Sequence, residues 1–159
     1  DAGFTQTLDE PDGIVSQVVW SDSLVVAVPA RHPLLAHTDI PIEEVLRYPL
    51  IQCHPQSCEG SHRQIQHYLR TLRAAPVIAE QVATFDLMMV FVAAGFGIGL
   101  ANESHTNTCR HLDVVTRPLS GNRLAVETRL LRLDAEPSAP LRRFIDRIGS
   151  LQLGSAMRN

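Results

Sequence analysis

Val92-Ala93-Ala94-Gly95-Phe96-Gly97-Ile98-Gly99-Leu100 decides the fold, because within this stretch the chain turns from a helix into a buried strand. Thr84 is placed to cap a helix from Leu87 to Ala94, and Gly95 supplies the left-handed conformation in which helices commonly end. The apolar run Ile98–Ala101 follows at once and predicts a strand. A helix that leads directly into a strand is typical of α/β folds.

Outward from this stretch, strand and helix patterns continue to alternate. β-branched runs predict strands, and apolar residues at i, i+3, i+4 and i+7 predict helices. The alternation indicates βαβ units, and therefore mostly parallel sheets with helices on both faces. The predicted strands are 14–20, 24–29, 49–53, 77–82, 98–101 and 124–133, with a polar break at 21–23. The predicted helices are 42–47, a stripe at 65–72, 87–94 and a stripe at 141–151, capped by Asp39, Ser57, Thr84 and Ser138.

Composition and charge restrict the classes of function. A chain of 159 residues that is 45% hydrophobic can bury the core of one domain or of two small lobes. All the basic residues are Arg, they are scattered, and the net charge is −3, so we expect this chain alone to bind DNA poorly. No apolar run approaches the ~20 residues that span a bilayer, so no membrane association is predicted.

The cysteine count and the first residues predict where the protein resides. The chain has an odd number of cysteines, Cys53, Cys58 and Cys109, which argues against a disulfide framework and favours a reducing compartment. The chain opens on Asp1 without a signal-peptide pattern. We expect a cytoplasmic protein whose chain is truncated at the N-terminus.

Four stretches resemble one protein family. Residues 24–35 (Leu-Val-Val-Ala-Val-Pro-Ala-Arg-His-Pro-Leu-Leu) are similar to the strand and His-Pro-Leu turn of LysR-type transcriptional regulators. Residues 40–51, ending in Tyr-Pro-Leu-Ile, are similar to that family's next helix and strand. The segment 92–100 is the most specific match, and the run at 132–140 leads into the family's last helix. In order and spacing the resemblance covers roughly residues 1–150.

The resemblance implies a two-lobed effector domain similar to type 2 periplasmic binding proteins. Lobe I would comprise 1–38 and 134–153, lobe II 39–133, and a tail 154–159, with crossovers near 36–39 and 132–135. The family's helix-turn-helix domain and the first strands of lobe I are absent from this sequence, so lobe I is expected to be incomplete. Asn102 departs from the pattern, because the family usually has Pro there.

The resemblance also implies a regulatory function without catalysis, cofactor or metal. A small anionic metabolite would bind in the interlobe cleft and modulate DNA binding by the N-terminal domain that this sequence lacks. Family domains commonly associate side by side, so a homodimer or higher oligomer is expected. No catalytic residue is predicted, and DNA would be contacted only through the absent domain.

Two strand-to-helix junctions, 52–61 and 82–86, carry the candidate ligand residues. Free amides and the positive end of the dipole make a helix N-terminus attractive to anions. For each residue a structural role in capping or packing stays open beside the ligand role. The candidates are Thr84, Gln52, Ser57, Cys58 and Phe85, together with Val28, Pro29 and Phe4, which the resemblance places near the cleft.

Three alternatives remain. Cys53, His54, Cys58, His62 and His67 are possible metal ligands, but adjacent strand residues point to opposite faces and the spacing matches no structural zinc site. Cys58 near a helix start could instead be a peroxide-reactive thiol that Cys53 resolves. An exported solute-binding protein of the same fold is the third alternative.

Overall fold

A computed structural model describes residues 2–7, 9, 12–72, 75–108, 111–121 and 124–156. Strands and helices alternate along most of this length, as the sequence predicts. The strands are β1 (Ala2–Thr5), β2 (Ile14–Pro29), β3 (Leu50–Cys53), β4 (Ile78–Val82), β5 (Ile98–Asn102), β6 (Val114–Pro118) and β7 (Ala125–Leu133). The helices are α1 (Ile42–Val45), α2 (Glu59–Thr71), α3 (Phe85–Ala93), α4 (Glu103–Thr108) and α5 (Ala139–Ala156), with a 3₁₀ turn at Pro33–Ala36.

The chain divides into two compact units. The first comprises Asp1–Ser21 and Glu127–Asn159, and the second Asp22–Val126. Strands β2 and β7 each begin in one unit and end in the other. These bounds differ from the crossovers expected at 36–39 and 132–135, and the assignment of lobes stays a prediction.

The first unit is built around β1, β7 and α5. β1 pairs with β7 in antiparallel register, with Phe4 opposite Leu130. Val19, Leu130 and Ile148 form its buried cluster. α5 runs to Ala156, so residues 154–156 are helical where a frayed tail was expected, and 157–159 lie outside the described residues.

The second unit contains a mixed sheet, whereas the sequence predicted a mostly parallel one. β3 is parallel to β4 and to β5. β2 is antiparallel to β5 and to β6. Local patterns do not show which strands pair or in which direction, so the antiparallel part was not predictable from them.

Helices cover both faces of this sheet, as predicted. Val26 and Leu50 belong to one buried cluster, which also contains Leu69 of α2. Their neighbours Ala27 and Ile51 belong to a second cluster with the apolar side chains of α3. Because successive strand residues point to opposite faces, α2 and α3 lie on opposite sides of the sheet.

β2 is one continuous strand, so the predicted break at 21–23 is wrong. These polar side chains are exposed or half-buried and interrupt no core face. The Asp22 carboxylate accepts hydrogen bonds from the backbone N–H of Ser104, at 3.1 Å, and from the Ser104 hydroxyl. A polar stretch is therefore accommodated within the strand.

The predicted caps have different outcomes. Thr84 caps α3, its hydroxyl accepting from the Leu87 N–H at 3.2 Å, and Gly95 follows that helix with φ of 80°. Asp39 is not a cap, because α1 begins after Pro41, and α1 ends at Val45 rather than Arg47. Ser57 is not a cap either, because α2 begins after Cys58.

Candidate ligand cavity at the strand ends

A cavity of about 60 Å³ lies within the second unit where strands end and helices begin. We call it the strand-end cavity. β3 and β5 contribute Gln52, Cys53, Leu100, Ala101 and Asn102, and the helices and the α2 cap contribute Cys58, Ser61, His62, Ile65, Phe85, Met88 and His105.

The sheet topology explains why these residues meet. β3 is parallel to β5, with Leu50 opposite Ile98, so their carboxyl ends lie at the same edge of the sheet. The chain then enters α2 after β3 and α4 after β5, while α3 follows the neighbouring strand β4. In open α/β sheets ligands bind at such carboxyl ends. The strand-end cavity lies at this edge of the sheet.

Gln52 is the buried polar group of the cavity. Its side chain is only 7% exposed. The Oε1 atom accepts a hydrogen bond from Gln66 Nε2 at 3.3 Å. The Nε2 atom is buried without a hydrogen-bond partner. An unpaired buried donor is costly, so this N–H group is a natural point of ligand attachment.

Two thiols line the same cavity. Burial, with further contributions from the charge of Cys58 and a side-chain hydrogen bond with Cys58, raises the pKa of Cys53 to about 12. Cys53 is therefore a protonated, weakly nucleophilic thiol at neutral pH.

The start of α2 faces the cavity without a side-chain cap. Cys58 occupies the N-cap position, and its side chain makes no capping hydrogen bond. Ser61, in the first turn, donates its hydroxyl hydrogen bond to the Cys58 carbonyl at 3.2 Å. The first amides of a helix have no intrahelical acceptor and carry the positive end of the dipole, so they favour an anionic or acceptor group.

Apolar side chains form the remaining walls. Phe85 and His105 are in ring contact, with centroids 5.1 Å apart. Met88 and Leu100 are buried beside them. None of the described lining residues is Asp, Glu, Lys or Arg. The cavity thus offers neutral polar groups on an apolar surface, which is typical of small-molecule sites.

The structure brings together only some of the predicted residues. Gln52, Cys58 and Phe85 line the strand-end cavity. Thr84 and Ser57 lie at the same junctions but are exposed and do not line it.

The other three candidates lie elsewhere in the fold. Val28 is fully buried in the core cluster of the second unit. Pro29 ends β2, opposite Val114 of β6. Phe4 belongs to the first unit, where its ring contacts Trp20 and Phe144. Ligand roles for all the predicted residues stay predictions.

Several lining residues were missed from the sequence. Asn102 and His105 follow β5, and only the β3–β5 pairing brings them to the cavity. Met88 lies one turn into α3 and resembles an ordinary core residue in the sequence. The described residues contain no group of three or more His, Cys, Asp or Glu side chains placed to hold a metal ion.

Comparison with known families identifies the family of the chain. The model of the LysR substrate binding domain matches residues 1–152. The chain belongs to this family. The LysR domain is 29% identical, over 60% of its length, to the HTH-type transcriptional regulator SsuR of Burkholderia cenocepacia, of which it covers 30%. It spans about a third of the length of the curated relatives that it matches.

Solved structures show the same fold. The LysR domain superposes with a TM-score of 0.86 on the BenM effector binding domain with its effector benzoate, at 21% identity, covering 100% of this chain and 72% of that one. For the effector binding domain of QuiR in complex with shikimate the TM-score is 0.75 at 18% identity, with coverage of 93% and 69%. The predicted α/β fold, similar to periplasmic binding proteins, is confirmed. None of the described helices is both long and apolar enough to cross a membrane.

Proposed function

We propose that this LysR domain is the effector-sensing part of a bacterial transcription regulator, and that a small anionic metabolite binds in the strand-end cavity. The observation that carries the proposal is that β3, β5 and the starts of α2 and α3 meet at the strand-end cavity. This cavity is lined by Gln52, whose Nε2 atom is buried without a hydrogen-bond partner. BenM and QuiR, which share the fold, are described with benzoate and with shikimate.

The size and chemistry of the cavity define the ligand further. A volume of about 60 Å³ accepts a compact group, and a larger effector would extend beyond it. The uncapped start of α2 and the absence of carboxylates among the described lining residues both favour an anion. A position between the lobes stays a prediction.

Regulation follows from differential binding. An effector shifts a regulator only when it binds one conformation better than another. We propose that this shift changes the assembly of a homodimer or higher oligomer, and thereby DNA binding by a helix-turn-helix domain elsewhere in the parent protein. The curated relatives are transcriptional regulators, which supports a regulatory role in the cytoplasm over an exported solute-binding protein or an enzyme.

A thermal-shift screen with small carboxylates, aromatic acids and amino acids tests the proposal. At a hundred times Kd a ligand contributes about 2.7 kcal/mol, which for a chain of this size raises Tm by roughly 5–10 °C. Ser61→Leu, which fills the cavity, should abolish the shift. Thr71→Leu is the matched control, because Thr71 also donates to a carbonyl three residues earlier in α2 but lies outside the cavity.

Two results would remove the cavity as the effector site. One is a screen in which no compound stabilises the chain. The other is a hit that Ser61→Leu leaves unchanged.

A second candidate function is thiol-based redox sensing, favoured by the position of Cys53 and Cys58 in the lining of the same cavity. The Cys58 thiolate would attack hydrogen peroxide, giving a sulfenic acid and hydroxide, and the Cys53 thiol would then attack the sulfenic sulfur, forming a disulfide and releasing water. Thiol counting after peroxide, in a Cys109→Ser background, should show the loss of two thiols. Adding Cys58→Ser to this background should prevent formation of the disulfide. If peroxide leaves the number of free thiols in the Cys109→Ser protein unchanged, this function is excluded.

A further inference from the structure

The position of Gln52 is unusual for a polar side chain. It lies near the end of β3, a strand flanked by β4 and β5, and is paired with Gln81 of β4. Among the described residues the buried polar side chains are few: Gln52, Asn102 and Thr106. A buried amide that is only partly hydrogen-bonded lowers stability, so packing alone does not explain Gln52.

The hydrogen bonds of this amide leave one group free. Gln66, on α2, donates to Gln52 Oε1 and fixes which end of the amide faces the helix. Gln52 Nε2 has no acceptor among the described residues. Gln52 lines the adjacent cavity, so an acceptor on a bound ligand can pair with this N–H group while Oε1 keeps its hydrogen bond to Gln66.

The surroundings determine what this N–H group would bind. Phe85, Met88 and Leu100 make the cavity walls largely apolar, and no Lys or Arg is among the described lining residues. A ligand oxygen would therefore meet donors such as the Gln52 amide and the rings of His62 and His105, and not a Lys or Arg side chain. In a site with largely apolar walls a missing hydrogen bond is penalised strongly, so a single donor can set specificity.

We propose that Gln52 determines ligand specificity by donating a hydrogen bond to a carbonyl or carboxylate oxygen of a compact ligand with an apolar tail. This inference rests on the proposed function and adds the chemistry by which the effector is recognised.

The test is a propionate titration followed through the side-chain NH₂ signals of Gln52 in ¹H–¹⁵N spectra. These signals are assigned by their loss in Gln52→Met, an apolar variant of similar length. We expect them to shift saturably with propionate. We also expect Kd to rise about tenfold or more in Gln52→Met, the worth of one buried hydrogen bond. The control is Gln56→Met, which changes an exposed Gln outside the cavity and should leave Kd within about twofold.

A second readout separates recognition from a purely structural role. The Tm of unliganded Gln52→Met should equal or exceed that of the wild type, because the variant removes an unpaired buried donor. A purely structural role would lower Tm in Gln52→Met and leave the Kd for propionate unchanged.

Three results would overturn the inference: no saturable binding of propionate, binding that leaves the Gln52 NH₂ signals unmoved, or equal Kd values in Gln52→Met and wild type. Each is distinct from failure of the proposed function. A ligand of other chemistry that is lost in Ser61→Leu would keep the strand-end cavity as the effector site and reject only the role of Gln52.

Discussion

Cys53 links the chemistry of the cavity to the stability of the fold. Burial and the neighbouring Cys58 raise its pKa from an ordinary 9.0 to about 12. Below pH 9.0 both the folded and the unfolded chain hold this proton. Between 9.0 and 12 the unfolded chain ionises first, so the free energy of unfolding falls as pH rises.

This dependence predicts a difference between wild type and Cys53→Ser. Urea denaturation across the same alkaline window should show a steeper loss of stability in the wild type, because the variant has no thiol to titrate at position 53. Equal slopes for the two proteins would mean that Cys53 is not perturbed by folding.

Thr84 tests whether a helix cap is also a ligand contact. Thr84→Ala removes the hydrogen bond to the Leu87 N–H and should lower the free energy of unfolding by about 1 kcal/mol in urea denaturation. Thr84→Ser keeps the hydroxyl and serves as the control. Because Thr84 does not line the strand-end cavity, we expect the alanine variant to bind ligand as before. Loss of binding with intact folding would assign Thr84 the ligand role that its place at a strand-to-helix junction predicts.

The start of β5 depends on a close approach of two backbone segments. A Cβ added at Gly97 would lie 2.5 Å from the carbonyl oxygen of Pro49, and the Ile98 N–H donates to that same oxygen at 3.0 Å. Gly97→Ala must therefore push β5 away from β3, at a cost of about 1–3 kcal/mol or more.

Urea denaturation compares this variant with Gly3→Ala, where an added Cβ meets nothing within 4 Å. We expect the Gly3 variant to stay close to wild type in its unfolding midpoint. A Gly97→Ala protein as stable as Gly3→Ala would contradict the tight β3–β5 junction.

The same junction shows what the sequence could predict about the elements. α3, Gly95 and β5 were predictable because cap, stripe, glycine and apolar run are all local signals. α4 was not, because Glu103–Thr108 has no apolar stripe and is rich in Ser, Thr and Asn. The unbroken β2 was missed because the Asp22–Ser104 contact joins residues far apart in the chain.

The residues of the candidate site likewise differ in whether the sequence could predict them. Gln52, Cys58 and Phe85 were predictable because each lies at a strand-to-helix junction visible in the sequence. Asn102 and His105 were not, because only the pairing of β5 with β3 brings them there. Junction residues follow from local patterns, whereas their partners across the cavity follow from strand order.

At the level of the whole chain, two units share two strands. β2 and β7 each pass from the unit comprising Asp1–Ser21 and Glu127–Asn159 into the unit Asp22–Val126. The sequence predicted two lobes from resemblance, but it placed the crossovers in the segments after β2 and at the end of β7. A boundary inside a strand leaves no glycine or proline signal, so local patterns do not locate it.

The most direct test locates a bound effector by the methyl signals of methionine. Met88 lines the strand-end cavity, whereas its neighbour Met89 lines a different cavity beside β6. With ¹³C-methyl methionine, the acid that stabilises the chain most should shift Met88 saturably and Met89 much less, with signals assigned by Met88→Leu and Met89→Leu. Saturable binding that moves Met89 and leaves Met88 in place would show that the effector binds elsewhere.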